Sequence, residues 1–579
     1  MAWLRKHLVY LALSALLLGF FTYSGAVGSK VNRPLPPSPG GSQPVPDSQG
    51  AAGEGLLRTL VQAGELSDLR WPDFSDYRAH VAKFYEANDF ALLWVREMQP
   101  TQQAQDVIAL FRQAEQKGLS AEDYDAPRWE ARLAKLKPAT RQPDEQDAVR
   151  FDIALTVSLM RYISDLHIGK VNPLRFHFQI DVTQKKYDLP EFLQEHVVNA
   201  SDVSSALAQV EPPYPGYQRT IRALKTYVEL AREDDGDVLP EVREPVRPGE
   251  TYPGVPRLAR FLHRVGDLPA DAAVDPARSV YDGALVDAVR SFQQRHGLGA
   301  DGRIDARTLA ELNVPLNRRV RQMQITLERW RWMPNEYQHA PIVANIPEFR
   351  LRAYDQQFKI GTTMNVVVGQ AYRHDTPVFI GSMRYVIFRP YWEVPPSIAE
   401  HEIVPAIERN PAYLTKENLE FVDPRQNPVA SESITGATLE ELRRGQLFIR
   451  RKPGPKNSLG LVKFMFPNEF DVYMHDTPAT ELFAKSRRDF SHGCIRLEKP
   501  ADLAAWVLRD NPGWTPARIQ AAMNGDKTEQ VNLTHPIPVL ILYATVIVSE
   551  DGVVHFYDDI YGHDAELERA LAHGYPYPW

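Results

Sequence analysis

Residues 491–497 read SHGCIRL, and Cys494 within that run is the only cysteine in a chain of 579 residues. One cysteine cannot form an intramolecular disulfide, so its presence calls for another explanation than cross-linking. Cysteine often serves as a small buried hydrophobe. Here its neighbours point elsewhere. Gly493 lets another molecule approach the backbone closely, and N–H groups around a nucleophile in a tight turn can hold an oxyanion. The apolar spacing of Leu503, Trp506 and Val507 after Pro500 predicts a helix just beyond the cysteine, whose dipole would favour a thiolate.

A thiol is only a few per cent ionised near neutrality, so a nucleophilic cysteine needs a base. His492 is two residues away, and His475 lies 19 residues upstream at the end of the strand-like FDVYMH. A base on a neighbouring strand reaches the sulfur more easily than one on the same turn, which assigns the base to His475 and a wall or orienting role to His492. Zinc is the rival explanation for two histidines and a cysteine. No further ligand at metal spacing completes a set, so neither metal nor cofactor is expected.

The N-terminus frames this chemistry. Arg5, Lys6 and His7 precede an apolar run over 8–28 without a charge, the pattern of a secretory signal or a membrane anchor. About 20 apolar residues suffice to span a bilayer, which favours an uncleaved anchor, while Ser24, Gly25, Ala26 and Gly28 leave cleavage open. The bulk of the chain is then expected outside the cytoplasm. Residues 29–55, which include RPLPPSPGGSQPVPDSQGAAGEG, read as a disordered tether. The net charge of −8 and pI of about 6.1, with no long basic run, give no footprint for nucleic acid.

Residues 56–235 have helical periodicity, as in Val107, Leu110, Phe111 and Ala114, and in Phe151, Leu155, Leu159, Tyr162 and Leu166. This reads as a helical scaffold, with His167 and the acidic residues around it solvated or structural. A Pro- and charge-rich stretch over 234–256 marks a boundary. Residues 257–315 follow as a compact helical unit, with Leu285, Ala288, Val289 and Phe292 on one face and Asp305 placed to cap a second helix. The basic residues of RRVRQMQITLERWRWMP are expected on a solvated face. From 340 to 550 the pattern turns to strands, such as Phe349, Leu351 and Ala353 alternating with polar neighbours. An insertion at 397–455, helical and irregular, interrupts them as a lid or binding element would. The chain is thus expected to be α+β and multidomain.

Two stretches resemble known families. AVRSFQQRHGL with DGRIDARTLAEL is similar to the three-helix peptidoglycan-binding domain, which implies contact with the cell wall. YMHDTP with LFAKSRRDFSHGCIRLEKPADL resembles the L,D-transpeptidase (YkuD-type) catalytic domain, and the order of parts resembles the large periplasmic L,D-transpeptidases of Gram-negative bacteria. The resemblance implies that Cys494 is the acyl-accepting nucleophile and His475 the proton donor and acceptor. It also implies that the Gly493 and Cys494 N–H groups, with Tyr473, hold the oxyanion. Ser491, His492 and Arg496 would complete the pocket, Trp392 would line the donor-peptide groove, and 397–455 would cap the site. Arg389 and Glu393 depart from the asparagine expected beside that tryptophan. The implied reaction releases D-Ala from a tetrapeptide stem, leaves a thioester on the cysteine, and joins two diaminopimelate residues as a 3→3 cross-link. Hydrolysis, attachment of a stem to a lipoprotein, and a non-catalytic wall-binding scaffold are the alternatives.

Overall fold

The computed structural model describes residues 48–137, 144–176, 178–272, 279–429 and 435–577. The anchor expected at 8–28 lies outside them, and among the described residues no helix is long and apolar enough to cross a membrane. The tether expected over 29–55 also lies outside them up to 47. Its last residues open α1 (Ser48–Ala63) instead, because Leu57 and Val61 bury one face of that helix against the scaffold. The described chain from Ala52 onward is one compact unit.

At the centre of the scaffold runs α2 (Glu145–Ile168), buried on all sides from Ala148 onward and capped by Gly169 at φ 84°. Its two buried carboxyls are satisfied by distant donors. Asp152 accepts from Tyr85 Oη (2.7 Å) and the Trp94 N–H (2.7 Å), and Asp165 from Tyr124 Oη (2.7 Å) and Tyr575 Oη (2.9 Å). Burial pushes these acids up to about 6 and about 7. His167 donates through Nδ1 to the Val210 carbonyl (2.7 Å), and burial lowers it to about 4. These groups are structural. The short hairpin of β1 (Val95–Arg96) and β2 (Gln99–Pro100) lies beside them.

The strand-rich half is a closed barrel. After β3 (Phe178–Gln179), its strands are β4 (Ile342–Asn345), β5 (Arg350–Tyr354), β6 (Ile360–Gly369) and β7 (Val378–Phe388). An insertion carrying β8 (Trp392–Glu393), β9 (Leu419–Val422), β10 (Pro428–Val429) and β11 (Phe448–Arg451) follows. The barrel resumes with β12 (Val462–Met465), β13 (Met474–His475), β14 (Asp489–Ser491), β15 (Ile495–Leu497) and β16 (Glu529–Leu542). The order is β12-β13-β15-β6-β5-β4-β16-β7, and β7 pairs back onto β12. The strand β3 extends β7, pairing Phe178 with Val378 in parallel, and β14 runs beside β6. The scaffold expected over 56–235 is therefore divided: Val171, Phe176, Phe178, Ile180, Val182, Tyr214, Tyr217, Ile221, Leu224 and Tyr227 are buried in the same core as the barrel.

The capping insertion is not simply helical. Its strands form their own sheet, β10-β9-β11-β8, over a small core of Val394, Ile403, Ile407, Leu419, Phe421, Leu447 and Ile449. LEFV and FIRR are short alternating runs, and each half-buries one face as a strand does. Beyond 550, where the catalytic region was expected to end, the hairpin of β17 (Val546–Val548) and β18 (Val554–Phe556) and the helix His563–His573 continue the same core through Phe556, Tyr561 and Leu567.

Three helices, α3 (Val255–Arg264), α4 (Ala284–Arg295) and α5 (Ala306–Leu312), make the unit between scaffold and barrel, around a core of its own. Buried Gln293 ties its turn together, donating to the Arg303 carbonyl (2.8 Å) and accepting from the Gly302 N–H (2.8 Å). Asp305 caps α5 through the Thr308 N–H (2.7 Å), as the sequence predicts.

Next comes α6 (Leu316–Arg331), where the expected solvated basic face holds at Arg318 but not at three other arginines. Arg319, Arg329 and Arg331 are buried, because Glu311 and Asp564 come from other helices to meet the first two and Glu328, one turn back in α6 itself, meets Arg331. Glu328 also accepts the N–H groups of Lys170 (2.5 Å) and Val171 (3.1 Å). Glu328→Ala is expected to cost about 3–5 kcal/mol, since it strands a buried guanidinium and two N–H groups. A lowered urea midpoint with unchanged secondary structure in native buffer checks this.

Candidate active site

The site is built from the pairing of β13 with β15. The two strands run parallel, with Met474 opposite Ile495 and His475 opposite Arg496, and the Ile495 N–H donates to the Tyr473 carbonyl (3.1 Å). Met474, Ile495 and Leu497 point into the core. Side chains alternate along a strand, so Tyr473, His475, Cys494 and Arg496 share the outer face. The structure thus brings together four of the residues singled out in the sequence.

His475 is buried, and its Nδ1 lies 2.5 Å from the Asp476 carbonyl. A carbonyl only accepts, so Nδ1 carries the proton and Nε2 is left with a lone pair. Burial, helped by the charges of Arg496 and Lys463, pushes His475 down to about 3, which keeps the ring neutral. Asp476 is itself fixed by the N–H groups of Leu461 (2.8 Å) and Thr477 (2.7 Å).

The Cys494 thiol is half-buried and donates to the Asp471 carbonyl at 3.8 Å. No hydrogen bond joins it to His475 in this state, which lies one pleat repeat further along the shared face. Burial raises the thiol above its ordinary value. The Tyr473 N–H and hydroxyl and the charges of Lys463 and Arg496 pull the other way without cancelling it. The helix α7 (Pro500–Val507) begins only after β15, a strand's length from Cys494, so the expected dipole does not reach the sulfur.

The turn itself is tightly held. Gly493 has φ 110°, a conformation that a side chain would strain. Ser491 is buried, and its hydroxyl donates to the Cys494 carbonyl (2.6 Å) while accepting from the Gly493 N–H (3.2 Å). That bond engages the Gly493 N–H, one of the two backbone donors the resemblance implies for the oxyanion. The Cys494 N–H meets no acceptor among the described residues. Tyr473 stands beside the sulfur, so these two donors remain.

Two of the singled-out residues make contacts with the cap. His492 turns to the cap, with Nε2 3.0 Å from Glu402 and its ring 4.6 Å from that of His374. Trp392, which the resemblance implies lines the groove, is partly buried against the cap's own core, with the Arg451 guanidinium over its ring. Arg496 is half-buried with its Nε unpartnered.

Lys463 was missed in the sequence. It pairs with His475 across β12 and β13, and its Nζ sits 3.8 Å from the centre of the Tyr473 ring. The available signal was one lysine in the otherwise apolar strand LVKFMF. Among the described residues no three His, Cys, Asp or Glu gather as metal ligands. A cavity of about 540 Å³ lined by Tyr214, Trp330, Met333 and Phe358 has none of these site residues in its wall.

Comparison with known proteins fits this geometry. Residues 340–529 match the family of the "L,D-transpeptidase catalytic domain". The chain carries an L,D-transpeptidase catalytic domain. Residues 251–312 match a "Putative peptidoglycan binding domain" and residues 79–224 a "Scaffold domain". The chain is also 29% identical over 249 residues to a "Putative L,D-transpeptidase" of Haemophilus influenzae. That similarity covers 43% of this chain and about half, 49%, of the relative.

The raised thiol and depressed imidazole of this L,D-transpeptidase domain predict a distinctive pH response. Alkylation of Cys494 by iodoacetamide should rise about tenfold per pH unit through neutrality and past the usual thiol value of about 8.5. Intact-mass kinetics between pH 6 and 10 check this. A plateau below pH 8 would instead mean a preformed thiolate–imidazolium pair.

Proposed function

We propose that this chain forms 3→3 cross-links in peptidoglycan through a thioester on Cys494. The observation that carries the proposal is the parallel pairing that ranges Tyr473, Cys494 and His475 along one face. Both groups rest neutral, so the first step generates charge only as it proceeds. His475 Nε2 takes the thiol proton as sulfur attacks the carbonyl that joins diaminopimelate, the third residue of a tetrapeptide stem, to D-Ala. The Cys494 N–H and the Tyr473 hydroxyl receive the oxyanion. On collapse the C–N bond breaks, and the proton on His475 passes to the leaving D-Ala amine. The side-chain amine of a second stem's diaminopimelate then attacks the thioester, His475 takes its proton, and the thiol is restored. No external energy source is needed, since the acyl bond is conserved as a thioester.

Further parts belong to the same proposal. Peptidoglycan is the substrate that both matched domains support. The apolar run at 8–28 would hold the enzyme at the inner membrane with its catalytic part in the periplasm. A carbapenem would acylate Cys494, since opening its strained ring leaves a thioester at the same carbonyl position.

Cys494→Ala should abolish product while leaving the fold intact, and His475→Ala should cost on the order of 10²–10⁴-fold. His492→Ala should cost less, because its imidazole faces Glu402. Incubation of purified tetrapeptide muropeptides with enzyme, followed by mass spectrometry, tests the reaction. Dimers joined 3→3 are expected. Tripeptide monomers alone would mean that water is the acceptor and would overturn the cross-linking assignment.

A further inference from the structure

The turn that carries Cys494 is held from behind by a chain of hydrogen bonds that starts at Thr376 and ends in residues beyond the matched segment 340–529. The Gly493 carbonyl accepts from Thr376 Oγ1 (2.8 Å), and that oxygen accepts from the Gly369 N–H (2.8 Å), which leaves its hydrogen free for Gly493. The Thr376 N–H in turn donates to Tyr561 Oη (3.2 Å), and Tyr561 Oη donates to the Gly369 carbonyl (2.6 Å). The Tyr561 N–H donates to Tyr543 Oη (2.8 Å), and Tyr543 Oη to Asp559 (2.7 Å). Every bond here has one possible direction. Thr376, Tyr543 and Tyr561 are all buried. A Cβ on Gly369 would lie 1.9 Å from the His374 carbonyl, so glycine is required for the chain to fold back and deliver Thr376.

The consequence follows from the planarity of the peptide. In a trans unit the C=O and N–H point in opposite directions. Fixing the Gly493 carbonyl therefore fixes where the Cys494 N–H points, and that N–H is the backbone donor left free at the sulfur. We propose that Tyr561, acting through Thr376, is a positioning residue for acyl transfer that aims the Cys494 N–H at the oxyanion. This rests on the acyl-transfer reading above and adds to it a part supplied by the C-terminal segment.

The chemistry offers a control. Acylation develops an oxyanion, whereas alkylation of the same thiol by iodoacetamide does not. Four full-length proteins are compared: wild type, Tyr561→Phe, Thr376→Val and Thr376→Ser. Each is measured by intact mass for its rate of acylation by a carbapenem and of alkylation by iodoacetamide, with thermal midpoints alongside. Tyr561→Phe and Thr376→Val should acylate ~10–100-fold more slowly, somewhat less than the ~10²–10³ lost with an oxyanion donor outright. Their alkylation should stay within about twofold, and Thr376→Ser, which keeps the hydroxyl, should restore acylation. If Tyr561→Phe does not fold, the contrast of valine with serine at 376 decides alone. Acylation at the wild-type rate in the folded variants overturns the proposal, as does a parallel fall in alkylation, which would mean general disturbance of the turn. A wild type that is acylated and slowed by these variants yet makes no 3→3 dimer would overturn the cross-linking assignment and leave Tyr561 in its role. A wild type that is never acylated would overturn both.

Discussion

The parallel pairing of β13 with β15 is the constraint on which the site depends. Parallel neighbours cannot be joined by a tight hairpin, so the chain between His475 and Cys494 must cross over and return. It does so through the 3₁₀ turn Thr480–Ala484 and through β14, which pairs with β6 on the way. This detour is why the two residues stand apart in sequence and side by side in space. Because β13 and β15 are also bonded to β12 and β6, neither can shift register without breaking the barrel. The spacing of Tyr473, Cys494 and His475 is therefore a property of the whole sheet rather than of a loop.

That rigidity matters because the site holds little charge at rest. Burial raises the thiol and lowers the imidazole, so neither is ionised near neutrality. Lys463 and Arg496 stand where negative charge would develop on sulfur, and each is disfavoured as a cation by the same burial. Transfer of negative charge into this face is thus favoured only when it arrives. A thiol kept neutral also reacts slowly with oxidants, which attack the thiolate. This answers the question a lone cysteine poses: it is shielded by its protonation state rather than by a partner.

Much of this was legible in the sequence, and the exceptions share one cause. SHGCIRL and YMHD are local strings, and the strands around them alternate visibly, so the candidate cysteine and histidine and the β-rich frame could be read directly. The cap of Asp305 on α5 involves residues three apart and was equally legible. Lys463, Thr376 and Tyr561 were not, since each matters only through a partner that the barrel brings from far along the chain. The same holds for α6. Arg319 and Arg329 look solvated until Glu311 and Asp564 are placed beside them. Local pattern reveals the element and the motif, and tertiary partners decide what each polar residue does.

The cap illustrates how a long insertion is accommodated without disturbing this arrangement. The chain leaves the barrel at the end of β7 and returns at the start of β12, where Phe388 and Val462 are directly paired. The barrel therefore closes across the neck of the insertion as it would across a hairpin. Within the insertion, β8 pairs with β11, so the outgoing and returning chains are bonded to each other again before the cap spreads. Loop-closure cost grows only slowly with length, and most of it is met at this neck. What the cap adds to the site is a contact from outside, Glu402 on His492, between two exposed side chains. Such a pair contributes little to stability. The positions of Cys494 and His475 follow from the barrel, and the cap governs what surrounds them.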